Sequence, residues 1–240
     1  MGCRFCASTI GGLKRNLTPG EIAGQILAAQ RETGQRISHV VVMGTGEPFD
    51  NYENLAQFIR IINDPNGLNI GMRNITVSTC GLAPMIARFA EDFPQVNLAI
   101  SLHAVSNEMR DEIMPINKAY PMETLLSACR DYIQKTARRV TFEYTLVKGV
   151  NDSPEHAKKL ASQLRGILCH VNLIPLNKVK ETGYDTTERG AVLRFQQALT
   201  DCGIPATIRR ELGDDIDAAC GQLRLSEKES KALLRQQENA

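Results

Sequence analysis

The sequence has no tryptophan, and aromatic residues make up only 5% of its 240 positions. No apolar run approaches membrane-spanning length and no signal-type leader is seen, so neither a transmembrane helix nor a secretory signal is expected. An excess of one charge is also missing. The formal net charge is +1, which excludes polyanion binding through bulk charge and requires any nucleic-acid surface to be local. There is no second Cys-x-x-Cys and no pair of histidines at metal-ligand spacing. A closed four-ligand structural zinc site therefore lacks its ligands. Repeats and low-complexity segments are absent. The 7 cysteines are an odd number and form no disulfide framework, which suits a reducing, cytoplasmic setting.

What is present begins with Cys3-Arg4-Phe5-Cys6, a Cys-x-x-Cys with an aromatic beside the second thiol, in a Gly-rich, basic loop running to Leu17. Two thiolates this close on a loop can turn to one soft metal centre. The motif alone fits half a zinc site, a redox dithiol or two ligands of an iron–sulfur cluster.

The 42% hydrophobic composition over 240 residues supports one sizeable core and a single α/β domain. Thr18-Pro19-Gly20-Glu21 predicts a helix start with a capping box, and the helix should run to about Thr33. His39–Met43, apolar from Val40 onward, predicts a strand buried on both faces. Helices are predicted around Leu55–Ile62, Pro84–Asp92, Met122–Thr136, Pro154–Leu168 and Thr187–Cys202. Strands are predicted at Ile75–Ser78, Asn97–Leu102, Val140–Leu146, Val171–Ile174 and Ala206–Arg209. Residues 1–225 read as the core and 226–240 as a solvated terminal helix. The alternation predicts a parallel sheet with helices outside, either doubly wound or curled as a barrel.

Polar residues and glycines follow the predicted strands: Gly44–Glu47, Ser78-Thr79, Ser101 with His103, and Asn177. The C-terminal ends of strands carry the site in such folds, so one mouth should collect an acid, hydroxyls, an imidazole and an amide. Each has a bland reading: a turn carboxylate for Glu47, local backbone bonding for Ser78 and Ser101, a satisfied core imidazole for His103. Lys14, Arg15, Arg209 and Arg210 read as solvated charges or as phosphate contacts. Cys80, Cys129, Cys169 and Cys202 read as small hydrophobes. Cys220 sits in the acidic Gly213–Gly221 segment, where three carboxylates would raise its pKa. It needs some other activation to act.

Cys3–Thr9, Gly44-Thr45-Gly46-Glu47-Pro48, Ser78-Thr79, Ser101-Leu102-His103, Leu176-Asn177 and Gly213–Gly221 occur in an order that resembles the radical SAM adenine-C2 methyltransferases of RNA. These are the RlmN-type enzymes, and the Cfr-type adenine-C8 methyltransferases are near relatives. The resemblance covers nearly the whole chain, and Pro48 after Glu47 looks more like the C2 enzymes. It implies a partial (β/α)6 TIM-like barrel holding a [4Fe–4S] cluster and S-adenosyl-L-methionine. Cys3 and Cys6 would be cluster ligands. Gly46, Glu47, Ser78, Ser101, Leu102, His103 and Asn177 would bind the cofactor. Cys220 matches the cysteine that becomes S-methylated and carries the one-carbon unit to the base. A first cofactor molecule supplies that methyl, and a 5′-deoxyadenosyl radical then activates it; such chemistry can reach an electron-poor adenine carbon. The implied substrates are 23S rRNA and, in some members, tRNA, whose target base must leave its stack. An external electron donor and a monomeric state are also expected.

The sequence departs from that pattern in one respect. The resemblance places the first cluster cysteine four residues before Cys3, ahead of Met1. It also places a resolving cysteine, the first barrel strand and an N-terminal accessory domain upstream. The chain is thus expected to be an N-terminally truncated member, impaired in turnover. Two other readings stay open: a different radical SAM enzyme, which would not need Cys220, and a non-catalytic RNA-binding or zinc-binding α/β module.

Overall fold

A computed structural model describes residues 1–9, 12–177 and 183–209. Six strands form one parallel sheet in chain order: β1 (Val40–Val42), β2 (Ile75–Thr79), β3 (Asn97–Ser101), β4 (Val140–Leu146), β5 (Cys169–Pro175) and β6 (Ala206–Ile208). Doubly wound sheets reverse direction at a switch point. No reversal occurs here, so the curled, barrel-type alternative holds, with the sheet unclosed between β1 and β6. The helices are α1 (Pro19–Thr33), α2 (Tyr52–Asn63), α3 (Ala83–Asp92), α4 (Asn107–Ile113), α5 (Met122–Thr136), α6 (Pro154–Leu164) and α7 (Arg189–Asp201).

Local chemistry sets the helix ends. The Thr18 hydroxyl accepts from the Glu21 N–H, and the Glu21 carboxylate accepts from the Thr18 N–H at 2.8 Å, the expected capping box. Ser153 caps α6 in the same way. That helix stops at Leu164, four residues earlier than its sequence pattern suggested, because Gly166 takes φ +76° and turns the chain toward β5.

Strand side chains divide by period two. Ile75 and Val77, Leu98 and Ile100, Phe142 and Tyr144, and Val171 and Leu173 enter the core beneath the helices. Tyr144 stacks on Phe195 of α7 with centroids 5.2 Å apart. Thr76 and Ser78, Asn97 and Ser101, Thr141 and Glu143, and His170 and Asn172 therefore take the opposite, concave face. β1 corrects the sequence reading. It is an edge strand with one face open, and Val41 is 62% exposed. An all-valine run looks the same whether one face or two are covered, so composition alone could not separate the cases.

Among the described residues, no helix is long and apolar enough to cross a membrane. The boundary at residue 225 and the terminal helix over 226–240 lie outside the described residues.

Candidate active site

The mouth is built where β1, β2 and β3 end. After β1, Gly46 adopts φ +92°, a conformation suited to glycine. It delivers Glu47 into a buried position. One carboxylate oxygen accepts from the Phe49 N–H at 3.0 Å and the other from the Cys80 N–H at 2.7 Å. Glu47 thus fastens the turn after β1 to the end of β2. A carboxylate offers about four lone-pair sites, so two bonds leave acceptor capacity for a cationic group.

Cys80 lies beside Glu47 in a buried position, and burial followed by the Glu47 charge pushes its thiol pKa up. Gly81 follows at φ +111°; a Cβ there would sit 3.1 Å from Leu125 Cδ2 and 3.2 Å from Arg110 Nη2. Thr79, paired with Ser78 in the sequence motif, is a local cap: its hydroxyl accepts from the Gly81 N–H at 3.1 Å. Ser78 is half-buried on the concave face, two residues below Cys80.

Arg110 is the organising side chain that sequence reasoning missed. It is fully buried, with 0% exposure. Its Nη2 donates to Cys80 O at 2.7 Å and Ser101 O at 3.1 Å, its Nε to Leu102 O at 3.2 Å, and its Nη1 to Asn117 Oδ1 at 3.2 Å. One guanidinium on α4 therefore clamps the ends of β2 and β3. The Leu102 side chain faces the helix-side core, which leaves only its backbone toward the mouth.

His103 adopts φ +55°, an uncommon value for a residue other than glycine. Its Nδ1 accepts from the Thr145 N–H at 2.9 Å, so the ring carries its proton on Nε2. Asn151 locks this conformation, donating to His103 O at 2.8 Å and to Thr145 O at 2.7 Å while accepting from the Val147 N–H at 2.7 Å. Burial, then the charge of Arg110, lowers the His103 pKa to about 3. The imidazole stays neutral when folded but protonates near pH 6.5 when unfolded. Between pH 6.5 and about 3 the unfolded chain therefore binds the extra proton, and stability falls as pH falls. We expect a loss of roughly 1 kcal/mol per pH unit in that window. Urea titrations of the parent and His103→Gln from pH 7 to 4.5 check it: the variant should lose that part of the slope.

The Cys3–Cys6 loop docks on this mouth. Arg4 N–H donates to Ile113 O at 3.0 Å, and the Phe5 ring meets the His103 ring edge-on at 5.0 Å. Phe5 packs with Cys80, Ala104, Ile113 and Leu176, and the half-buried Cys3 and Cys6 lie against the same cluster. Thr9 Oγ1 lies 3.0 Å from Cys3 O and 2.8 Å from Cys6 O and shapes the turn. Burial, then the neighbouring Cys6, pushes the Cys3 thiol up to about 11. A soft cation would reverse that, because metal ligation deprotonates a thiol. These two thiols suit a soft metal centre, yet no group of three His, Cys, Asp or Glu able to hold a metal occurs among the described residues. The chain thus fits part of a cluster's ligand set.

The other expected site residues divide. Asn177 is half-buried just beyond β5. Arg209, exposed after β6, donates its N–H to Leu173 O at 2.8 Å. Lys14 is exposed. Arg15 is committed to a two-pronged ion pair with Glu21, at 2.6 and 2.9 Å, which ties it to the α1 cap. Arg210 and Cys220 lie outside the described residues. Glu143 went unnoticed in the sequence. It is buried on the concave face, accepts from Asn172 Nδ2 at 2.8 Å, and has its pKa raised by burial. A carboxylate between two aromatics in a strand was the available signal, since Phe142 and Tyr144 must point the other way.

Comparisons with known proteins bear on the family and the fold. The model of the Radical SAM superfamily matches residues 1–161. A "Probable dual-specificity RNA methyltransferase RlmN" of Geobacillus kaustophilus (strain HTA426) is 57% identical over 234 residues, covering 96% of this chain and 64% of that protein. A protein with the same name from Thermoanaerobacter sp. (strain X514) is 54% identical over 224 residues, covering 93% and 65%. The crystal structure of a radical SAM methyltransferase from Sphaerobacter thermophilus superposes with a TM-score of 0.90 at 51% identity, covering 93% of this chain and 66% of that one. The chain thus spans about 64% of the length of the first of these relatives. With the matched model covering well over half of its length, the chain belongs to the radical SAM superfamily.

Proposed function

We propose that this chain is the core of a methyltransferase that acts on C2 of an adenine in 23S rRNA, and also in tRNA, through an S-methylcysteine at Cys220. The observation that carries the reading is the docking of the Cys3–Cys6 loop on His103 and on Cys80, whose N–H is held by Glu47. The names printed for relatives at 54–57% identity support RNA as the substrate.

A [4Fe–4S] cluster and S-adenosyl-L-methionine, when bound, supply one-electron reduction and a carbon radical. Cys3 and Cys6 would hold iron. Glu47, with Gly46 beside it, would accept from the cofactor's amino group. Ser78, Ser101, Asn177 and the backbone of Leu102 would line its other side. His103 is held neutral and serves as a fixed wall rather than a proton carrier. Lys14, Arg209 and Arg210 would contact phosphates, while Arg15 serves the α1 cap. The electron comes from an external donor, and the working unit is a monomer in the cytoplasm.

The test is anaerobic incubation with iron, sulfide, reductant, S-adenosyl-L-methionine and a 23S rRNA fragment, followed by mass spectrometry of the digested nucleosides. We expect 2-methyladenosine in the digest. Exclusive 8-methyladenosine would reassign the chemistry. Iron and cofactor binding with no methylated adenine would leave a non-catalytic RNA-binding module. Zinc without sulfide in the purified protein would exclude the radical reading.

A further inference from the structure

A second polar recess lies at the opposite end of the concave face. It has a volume of about 440 Å³ and is lined by Thr76, Asn97, Ala137, Arg138, Arg139 and Thr141. Asn97 opens β3, whereas Ser101 closes it at the mouth. Four residue steps along the strand separate the two by about 13 Å.

The lining has two guanidinium groups and no carboxylate. Asn97 Nδ2 donates to Arg73 O at 2.8 Å and Ile75 O at 3.1 Å, which fixes its amide and turns Oδ1 toward Arg138 Nη2. That occupies one edge of the Arg138 fork. Its Nε is buried without a partner, one of two such side-chain atoms among the described residues. Because Nε is closed to solvent, an anion entering the recess would meet the remaining guanidinium N–H groups of Arg138 and those of Arg139. Arg139 is exposed, and its charge reaches His170 on the neighbouring strand, adding to the effect of burial in lowering that imidazole's pKa. Neither arginine is ion-paired with a described residue. The end of α5, just before Arg138, favours the two cations where they sit.

An acceptor-only anion that matches a guanidinium fork is a phosphate. We propose that this recess binds a phosphate group through Arg138 and Arg139, and that the phosphate belongs to the backbone of bound RNA. The RNA half of this statement rests on the proposed function; the phosphate site itself does not.

The experiment uses the full chain, with Arg139→Glu, which replaces an exposed side chain, and the double variant Arg138→Gln/Arg139→Gln. Thermal melts check that both variants fold. Anisotropy of a labelled single-stranded, adenine-containing RNA is followed from 50 to 200 mM KCl, and calorimetry follows inorganic phosphate and pyrophosphate. We expect Arg139→Glu to weaken RNA binding about tenfold and to reduce the steepness of the salt dependence by about one ion. Phosphate binding should be lost in parallel. Phosphate binding lost with RNA binding intact supports the site and assigns it to a free phosphate anion. A parent chain that binds phosphate but no RNA sinks the RNA reading and leaves the recess standing. Unchanged RNA affinity and salt slope, together with no phosphate binding by the parent, overturn the proposal.

Discussion

Replacing Arg110 with Met is expected to destabilise the fold by about 3–5 kcal/mol, because several buried acceptors would be stripped of their donor. Cys80 O, Ser101 O, Leu102 O and Asn117 Oδ1 all depend on this guanidinium. Losing the cost of burying the charge offsets part of the effect, which is why the figure stays below the sum of four orphaned groups. Urea titration at pH 7 measures it. Arg110→Lys keeps the charge but not the planar fork and should recover only a minor share. A loss under about 1 kcal/mol for the Met variant would show that β2 and β3 hold their ends without the clamp.

Replacing Cys220 with Ala is expected to abolish methyl transfer, by about a thousandfold or more, equivalent to about 4 kcal/mol of barrier. Cleavage of S-adenosyl-L-methionine should continue only as a slow, uncoupled reaction, its 5′-deoxyadenosine taking hydrogen from the added reductant, because the S-methyl group that would supply that hydrogen is gone. Chromatography of the small-molecule products beside mass spectrometry of the RNA separates the two. Methyl transfer within tenfold of the parent would remove Cys220 from the role of carrier. A different radical SAM enzyme would be indifferent to the change.

These two residues differ in how openly the sequence presents them. Cys220 stands out through its acidic, Gly-flanked segment and the order of motifs before it. Arg110 has no such signature, because its partners are mostly backbone carbonyls, and every residue has one. Asn151 was hidden for the same reason: its partners are backbone groups of Val147, His103 and Thr145. The regular elements were legible where the apolar pattern was long. Met122–Thr136 and Val140–Leu146 match their predicted bounds. The α4 helix was not legible, since Asn107–Ile113 is short and mostly polar and is fixed by the Ser106 cap and by Arg110. Of the mouth, the residues Glu47, Ser101 and His103 could be read from their place after strands. What could not be read is that Glu47 and His103 are spent partly on holding the mouth together.

Because each strand pairs with the one made just before it, an emerging polypeptide never has to hold a strand in reserve for a neighbour not yet synthesised. Arg110 follows both Cys80 and Ser101 in the chain, so the clasp arrives after the two pieces it fastens. Translation order and assembly order can therefore coincide, and an arrest before residue 110 would leave two aligned strands whose tips are still unlatched.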